Sequence, residues 1–147
     1  MNTKLDNNDF AIIDELKKNS RLSEKKLSKK TGIPMTTVHN RIKKLRELKI
    51  IKKFTIELDY TLLGKPITAY VLIKTMPGVD QKILLSELSR MANVKEVAMV
   101  TGEFDLLFKV KTASMEELNK LVVQKLRKEK TIAETRTLMS YETIEII

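Results

Sequence analysis

The sequence predicts an α+β fold in two parts: three short helices, then a four-stranded unit in βαββαβ order. Three observations carry this. Apolar residues recur at helical intervals to about residue 48, then switch to alternation and to strand–helix–strand blocks. The four glycines and three prolines all stand at joints: Gly32 with Pro34, Gly64 with Pro66, Pro77–Gly78, and Gly102. Charge divides the chain as well. Residues 1–64 hold 15 Lys or Arg against 8 Asp or Glu, whereas residues 65–147 hold 13 against 11.

The first helix is expected from about Asn7 to Asn19, capped by Asp6, with Ile12, Ile13 and Leu16 on its apolar face. Ser23 then caps a second helix, Glu24 to Thr31, with Leu22 and Leu27 spaced for a hydrophobic staple. Gly32 ends it in the left-handed position past the last turn. A third helix, about Pro34 to Leu48, repeats Val38, Ile42, Leu45 and Leu48 on one stripe. In KKFTIELD, Phe54, Ile56 and Leu58 alternate with Thr55, Glu57 and Asp59, which predicts a strand. Two helices joined by a glycine turn, followed by a strand, make a helix-turn-helix unit of winged-helix-like form.

From Ile67 the order is strand, helix, strand, then strand, helix, strand. ITAYVLIKT is the first strand, and Asp80 to Met91 a helix with Ile83, Leu84, Leu88 and Met91 inward. VKEVAMV and DLLFKVK flank the turn TGEFD. Ser114 and Glu117 form a capping box opening a helix with Leu118, Leu121, Val122 and Leu126 on one side. ETRTLMSYETIEII closes the chain as a long strand. This is the ferredoxin-like arrangement, a sheet with helices on one face. In the first strand Ile67, Ala69, Val71 and Ile73 point one way, while Tyr70 and Leu72 point the other. The second face is therefore left apolar, which predicts at least a dimer paired through its sheets.

The third helix carries the chemistry. With Val38, Ile42 and Leu45 inward, Thr36, Thr37, Asn40, Lys43 and Lys44 stand outward or lateral. About 15 residues at ~1.5 Å each give a rod of roughly 22 Å, long enough to enter a DNA major groove. Thr and Asn can hydrogen-bond base edges, and Lys and Arg neutralise phosphates. The basic excess of the first half fits a polyanionic partner there. Lys52 and Lys53 suit either the flanking DNA backbone or a solvated strand end. His39 is the single histidine and there is no cysteine, so thiol nucleophiles, thiolate metal sites and disulfides are excluded. His39 reads as an edge-of-groove or surface histidine, and no catalytic residue, metal ligand or cofactor is expected.

The turn Thr101–Gly102–Glu103–Phe104–Asp105 has two readings. It is a tight hairpin, with Gly102 at positive φ and Asp105 as cap. Alternatively, two carboxylates and free backbone groups at a sheet edge could hold the ammonium and carboxylate of an amino acid. Glycosidase-type acid/base chemistry lacks a substrate cleft around it. The polar start and the absence of an apolar run near ~20 residues predict a cytoplasmic protein without a membrane span.

These residues together resemble the Lrp/AsnC, or feast/famine, regulators of prokaryotic transcription. Leu5–Asp6, Asp9 and Ile12–Ile13 are similar to the family's opening helix. Arg21, Leu27, Gly32, Thr37–Val38, Arg41, Leu45 and Ile50–Ile51 follow its helix-turn-helix pattern, and Leu63–Gly64 and TGEFD its second domain. The chain departs from the pattern at Pro34, where serine is usual, and at Lys49, where a helix-ending glycine is common. The resemblance implies a DNA-binding homodimer, extending to tetramers or octamers, modulated by an amino acid or related metabolite. On the third helix, Arg41, Lys43 and Lys44 are expected at phosphates, Thr36, Thr37 and Asn40 at bases, and His39 at the edge of the groove. Effector contacts fall at Gly102, Glu103, Phe104 and Asp105, with Thr135 and Thr137 as further candidates on the last strand. Residues 1–60 are then the DNA-binding domain, 61–66 a hinge, and 67–147 the assembly and effector-sensing domain. Two competing readings are a ligand-sensing adaptor without DNA binding and an enzyme resembling the sirohaem decarboxylases, which share the fold. The latter fits poorly, because the one histidine lies on the reading helix.

Overall fold

The computed structural model describes residues 4–144. It divides into two compact units between Leu58 and Asp59. The first contains α1 (Asn7–Lys18), α2 (Glu24–Thr31) and α3 (Met35–Glu47). Asp6 opens α1 with a complete capping box: its side chain accepts from the N–H groups of Asn8 and Asp9, while Asp9 accepts from the N–H of Asp6. Ser23 caps α2, and Gly32 ends it at φ 72°. Ile12, Leu16, Leu27, Ile33 and Val38 form the core, with Leu22, Ile42 and Ile51 packed against it.

Three expectations change in this unit. Pro34 precedes α3 as its cap residue and makes no side-chain cap hydrogen bond. Leu48 does not continue the buried stripe but is 40% exposed, because the chain leaves the helix axis at Lys49, φ 56°. Residues 52–58 keep the alternation of a strand but join no ladder among the described residues. Phe54, Ile56 and Leu58 remain exposed. Alternation marks a segment able to bury one face, and it supplies neither a partner edge nor a surface to bury against.

The second unit contains β1 (Ile67–Thr75), α4 (Gln81–Ser89), β2 (Val94–Met99), β3 (Leu106–Thr112), α5 (Met115–Asn119) and β4 (Ile132–Ser140). The antiparallel sheet has the order β2-β3-β1-β4. Ala69, Val71, Ile73, Leu106, Phe108 and Val110 face the helices and meet Leu84, Leu88, Leu118, Leu121, Val122 and Leu126. Ile83, expected inward, is exposed, and Leu85 packs against the core instead. The last helix is not uniform: α5 widens to a π-helical stretch at Lys120–Lys125 and ends in a 3-10 turn at Leu126–Lys128. β4 begins two residues earlier than its expected start and ends at Ser140, and the final residues 145–147 of the expected strand lie outside the described residues.

Residues Asp59–Lys65 fold as a turn within the second unit. The Asp59 carboxylate accepts from the N–H groups of Thr61 and Leu62, and Lys65 Nζ donates to Asn93 Oδ1 at 2.8 Å. Tyr60 lies under Lys95 and Lys111, 4.7 and 5.5 Å from its ring centre.

Candidate nucleic-acid interface and effector turn

α3 is held by its apolar side and displays the rest. Val38 and Leu45 are fully buried and Ile42 partly so, which contributes roughly 1.5–3 kcal/mol for each fully buried side chain. At 100° per residue, Thr36, Asn40 and Lys43 then cluster on the opposite side, and all three are exposed. Lys44 is exposed on one flank and Thr37 half-buried on the same flank. His39 is exposed on the other flank, towards α2, where its Nδ1 lies 2.8 Å from Glu24 Oε1.

Arg41 departs from its expected role. Its Nη1 donates to Asp6 Oδ1 at 2.6 Å and to Asp9 Oδ1 at 2.8 Å, and the side chain is only 22% exposed. Asp9 is fully buried at the first turn of α1. The guanidinium therefore serves as a clamp between α1 and α3, and its charge is committed inside the unit. Beside it, the Asp6 carboxyl is held below its ordinary range, chiefly by the hydrogen bond from Arg41. The Arg41 guanidinium is raised in turn, first by Asp6 and then by Asp9.

Arg46, absent from the set read from sequence, is exposed in the last turn of α3. It lines a shallow hollow of about 490 Å³ with Glu24, His39, Ile42, Lys43, Glu47, Ile51 and Lys52. Its signal was present: it sits three residues beyond Lys43, on the His39 flank of the helix.

The turn between β2 and β3 is tied down more fully than its spacing suggests. Gly102 has φ 128°, as the hairpin reading requires. Asp105 Oδ2 accepts from Thr75 N at 2.7 Å and from Thr75 Oγ1 at 2.8 Å, and these bonds depress its carboxyl below the usual range. Phe104 is 6% exposed, with the Arg136 guanidinium 4.9 Å from its ring centre. Asp105 and Phe104 therefore fix the turn. Glu103 is open, 3.3 Å from Arg136 Nη2.

The structure thus brings Glu103 and Phe104 to Arg136, a residue the sequence reading passed over. It does not bring Thr135 and Thr137 to the same place. They pair with Ile73 and Val71 and share the helix-facing side, while Arg136 pairs with Leu72 and points to the other. Thr135 Oγ1 accepts from Arg127 Nε at 3.3 Å on that helix side.

Residues 68–146 match the family model described as the Lrp/AsnC ligand binding domain, and residues 5–52 match winged helix-turn-helix DNA-binding. The chain is 46% identical over 143 residues to an uncharacterized HTH-type transcriptional regulator of Pyrococcus furiosus, covering 96% of this chain and 95% of that one. It is 39% identical over 115 residues to the HTH-type transcriptional regulator FL11 of the same organism, covering 78% and 76%. Among solved structures, E. coli AsnC superposes with a TM-score of 0.88 at 25% identity, covering 98% of this chain and 97% of that one. B. subtilis LrpC superposes with a TM-score of 0.87 at 27% identity, covering 97% and 99%.

Proposed function

The chain belongs to the Lrp/AsnC family of DNA-binding transcriptional regulators, and from that premise we propose how it reads and responds. α3 enters the major groove with Thr36 and Asn40 towards base edges, and Lys43, Lys44 and Arg46 towards phosphates. Thr37 and His39 lie at the rim. Arg41 acts indirectly, by fixing α3 on α1. The observation that carries this reading is the division of α3 itself: Val38 and Leu45 are fully buried, and Thr36, Asn40, Lys43 and Lys44 are exposed on the remaining surface. A homodimer would present two such helices about 34 Å apart to a pseudo-palindromic site. No described helix is long and apolar enough to cross a membrane, and we place the regulator in the cytoplasm with its DNA.

For the effector we propose an amino acid or similar zwitterion at the Glu103–Arg136 pair. The two side chains are 62% and 49% exposed and carry opposite charges, which match an ammonium and a carboxylate. A ligand there would exchange partners with both and shift the balance of assemblies, provided the assemblies bind it with different affinity.

Selection of bound fragments from host genomic DNA, repeated with amino acids added, tests both parts. On a recovered site, Asn40→Ala should lose about 1–3 kcal/mol of discrimination against mutated sites while non-specific binding changes little. Log K should fall with a slope near about −6 in log salt if a dimer neutralises roughly six to eight phosphates. Equal loss on every DNA would remove Asn40 from the reading set, and a flat salt response would remove the lysines.

A further inference from the structure

Glu24, the first residue of α2, meets the His39 flank of α3, at the rim of the proposed groove. Its carboxylate oxygen stands 2.8 Å from His39 Nδ1. A carboxylate only accepts, so the proton of this bond sits on Nδ1 and the tautomer is fixed. Nε2 then lies on the far side of the ring and makes no hydrogen bond among the described residues. In the neutral ring it is an acceptor, and it becomes a donor only when the ring takes up a proton. Both side chains are open, His39 to 59% and Glu24 to 42%, so DNA lying on α3 can reach the imidazole. Lys43, Arg46 and Glu47 of α3 and Lys52 of the following segment line the same hollow as His39 and Glu24. With Glu24 counted, three cations and two carboxylates share this hollow, and Glu24 is the one bonded to the ring.

We propose that Glu24 is a positioning residue which holds His39 with Nε2 turned towards a DNA phosphate, so that protonation of His39 adds a charge-assisted contact and tightens DNA binding as pH falls. The inference rests on the DNA-binding reading of α3. Binding then takes up a proton, so affinity rises as pH falls. The sequence contains one histidine and no cysteine. Replacing His39 therefore removes the imidazole's share of the pH response completely.

The test is fluorescence anisotropy of the full chain on a genomic fragment recovered as above, at about pH 7.0 and about pH 5.5 and fixed ionic strength. The readout is the ratio of the two Kd values, because removing the Glu24 charge shifts both. The unaltered protein should bind about fivefold or more tightly at the lower pH. H39Q should give a ratio near one. E24A should lose most of the gain, whereas E24Q, whose amide oxygen still accepts from Nδ1, should keep it. A pH-independent Kd for the unaltered protein overturns the inference, as does a full gain in H39Q or in E24A. Binding without a pH response sinks this inference while leaving the DNA-binding reading intact. Absence of binding at both pH values sinks the two together.

Discussion

Arg41 shows how much of a residue's role is set by what lies opposite it. From the sequence, a cation on the third helix of a basic half reads as a phosphate contact. In the fold it reaches across to Asp6 and buried Asp9, residues more than thirty positions earlier. Removing one member of such a cluster leaves an uncompensated charge, which is why the clamp tolerates replacement poorly. Lys49 stood out only against the family pattern, and its conformation, unlike the role of Arg41, answers a local backbone demand. The helix ends where a left-handed residue is needed, and Lys49 takes φ 56° to supply it. Replacing it with glycine should stabilise the protein by about 1 kcal/mol by relieving that conformation. The urea midpoint would rise accordingly. A midpoint that falls would mean the lysine side chain contributes more than its backbone costs.

At the scale of elements, capping and periodicity carried far. Asp6, Ser23 and Ser114 accept from first-turn N–H groups as their positions suggest, while Asp80, expected inside its helix, caps it instead and Glu117 accepts from Ala113 N rather than closing a box on Ser114. Contacts between elements were less legible. Glu15 on α1 bridges to Lys18 at 2.7 Å and to Lys30 of α2 at 2.9 Å. Led by the hydrogen bond from Lys18 and then that from Lys30, its carboxyl is lowered from 4.5 to about 2. A depressed carboxyl stabilises the fold above its ordinary titration range, and that stability is lost as pH falls towards the folded value. Glu15→Gln should therefore lower Tm by a small, constant amount between about pH 7 and pH 5, and the difference should shrink below about pH 4.5 and be nearly gone by about pH 2. Melting curves at four pH values would check it, and a difference that grows on acidification would contradict the assignment. The widened turn at Lys120–Lys125 had no visible signal, since its apolar spacing serves an α-helix equally well.

For the whole molecule, the decisive surface is the sheet face away from α4 and α5. Tyr70, Leu72, Leu107 and Leu138 lie there, with Leu72 beside Leu107 and Tyr70 beside Leu138 in the ladder. Leu138 is 50% exposed, and the other three are only partly covered. An apolar band of this kind favours association, and we propose that two copies bury it. The double variant Leu72→Glu with Leu138→Glu would place like charges across that interface. Sedimentation should then show a shift of most of the protein to the monomer, with DNA affinity reduced about tenfold or more through loss of bivalent engagement. An unchanged mass would move the interface elsewhere.

By itself the sequence determined the two-part order, the caps of α1, α2 and α5 and the strand-by-strand pattern of the sheet, because these follow from spacing and backbone preference within a few residues. The tertiary structure alone decided which charges are free to act. It drew Arg41 and Asp105 into internal hydrogen bonds, joined Glu103 to Arg136, and set Glu24 against His39. Such pairings depend on packing distances between elements far apart in the chain, and no local pattern encodes them.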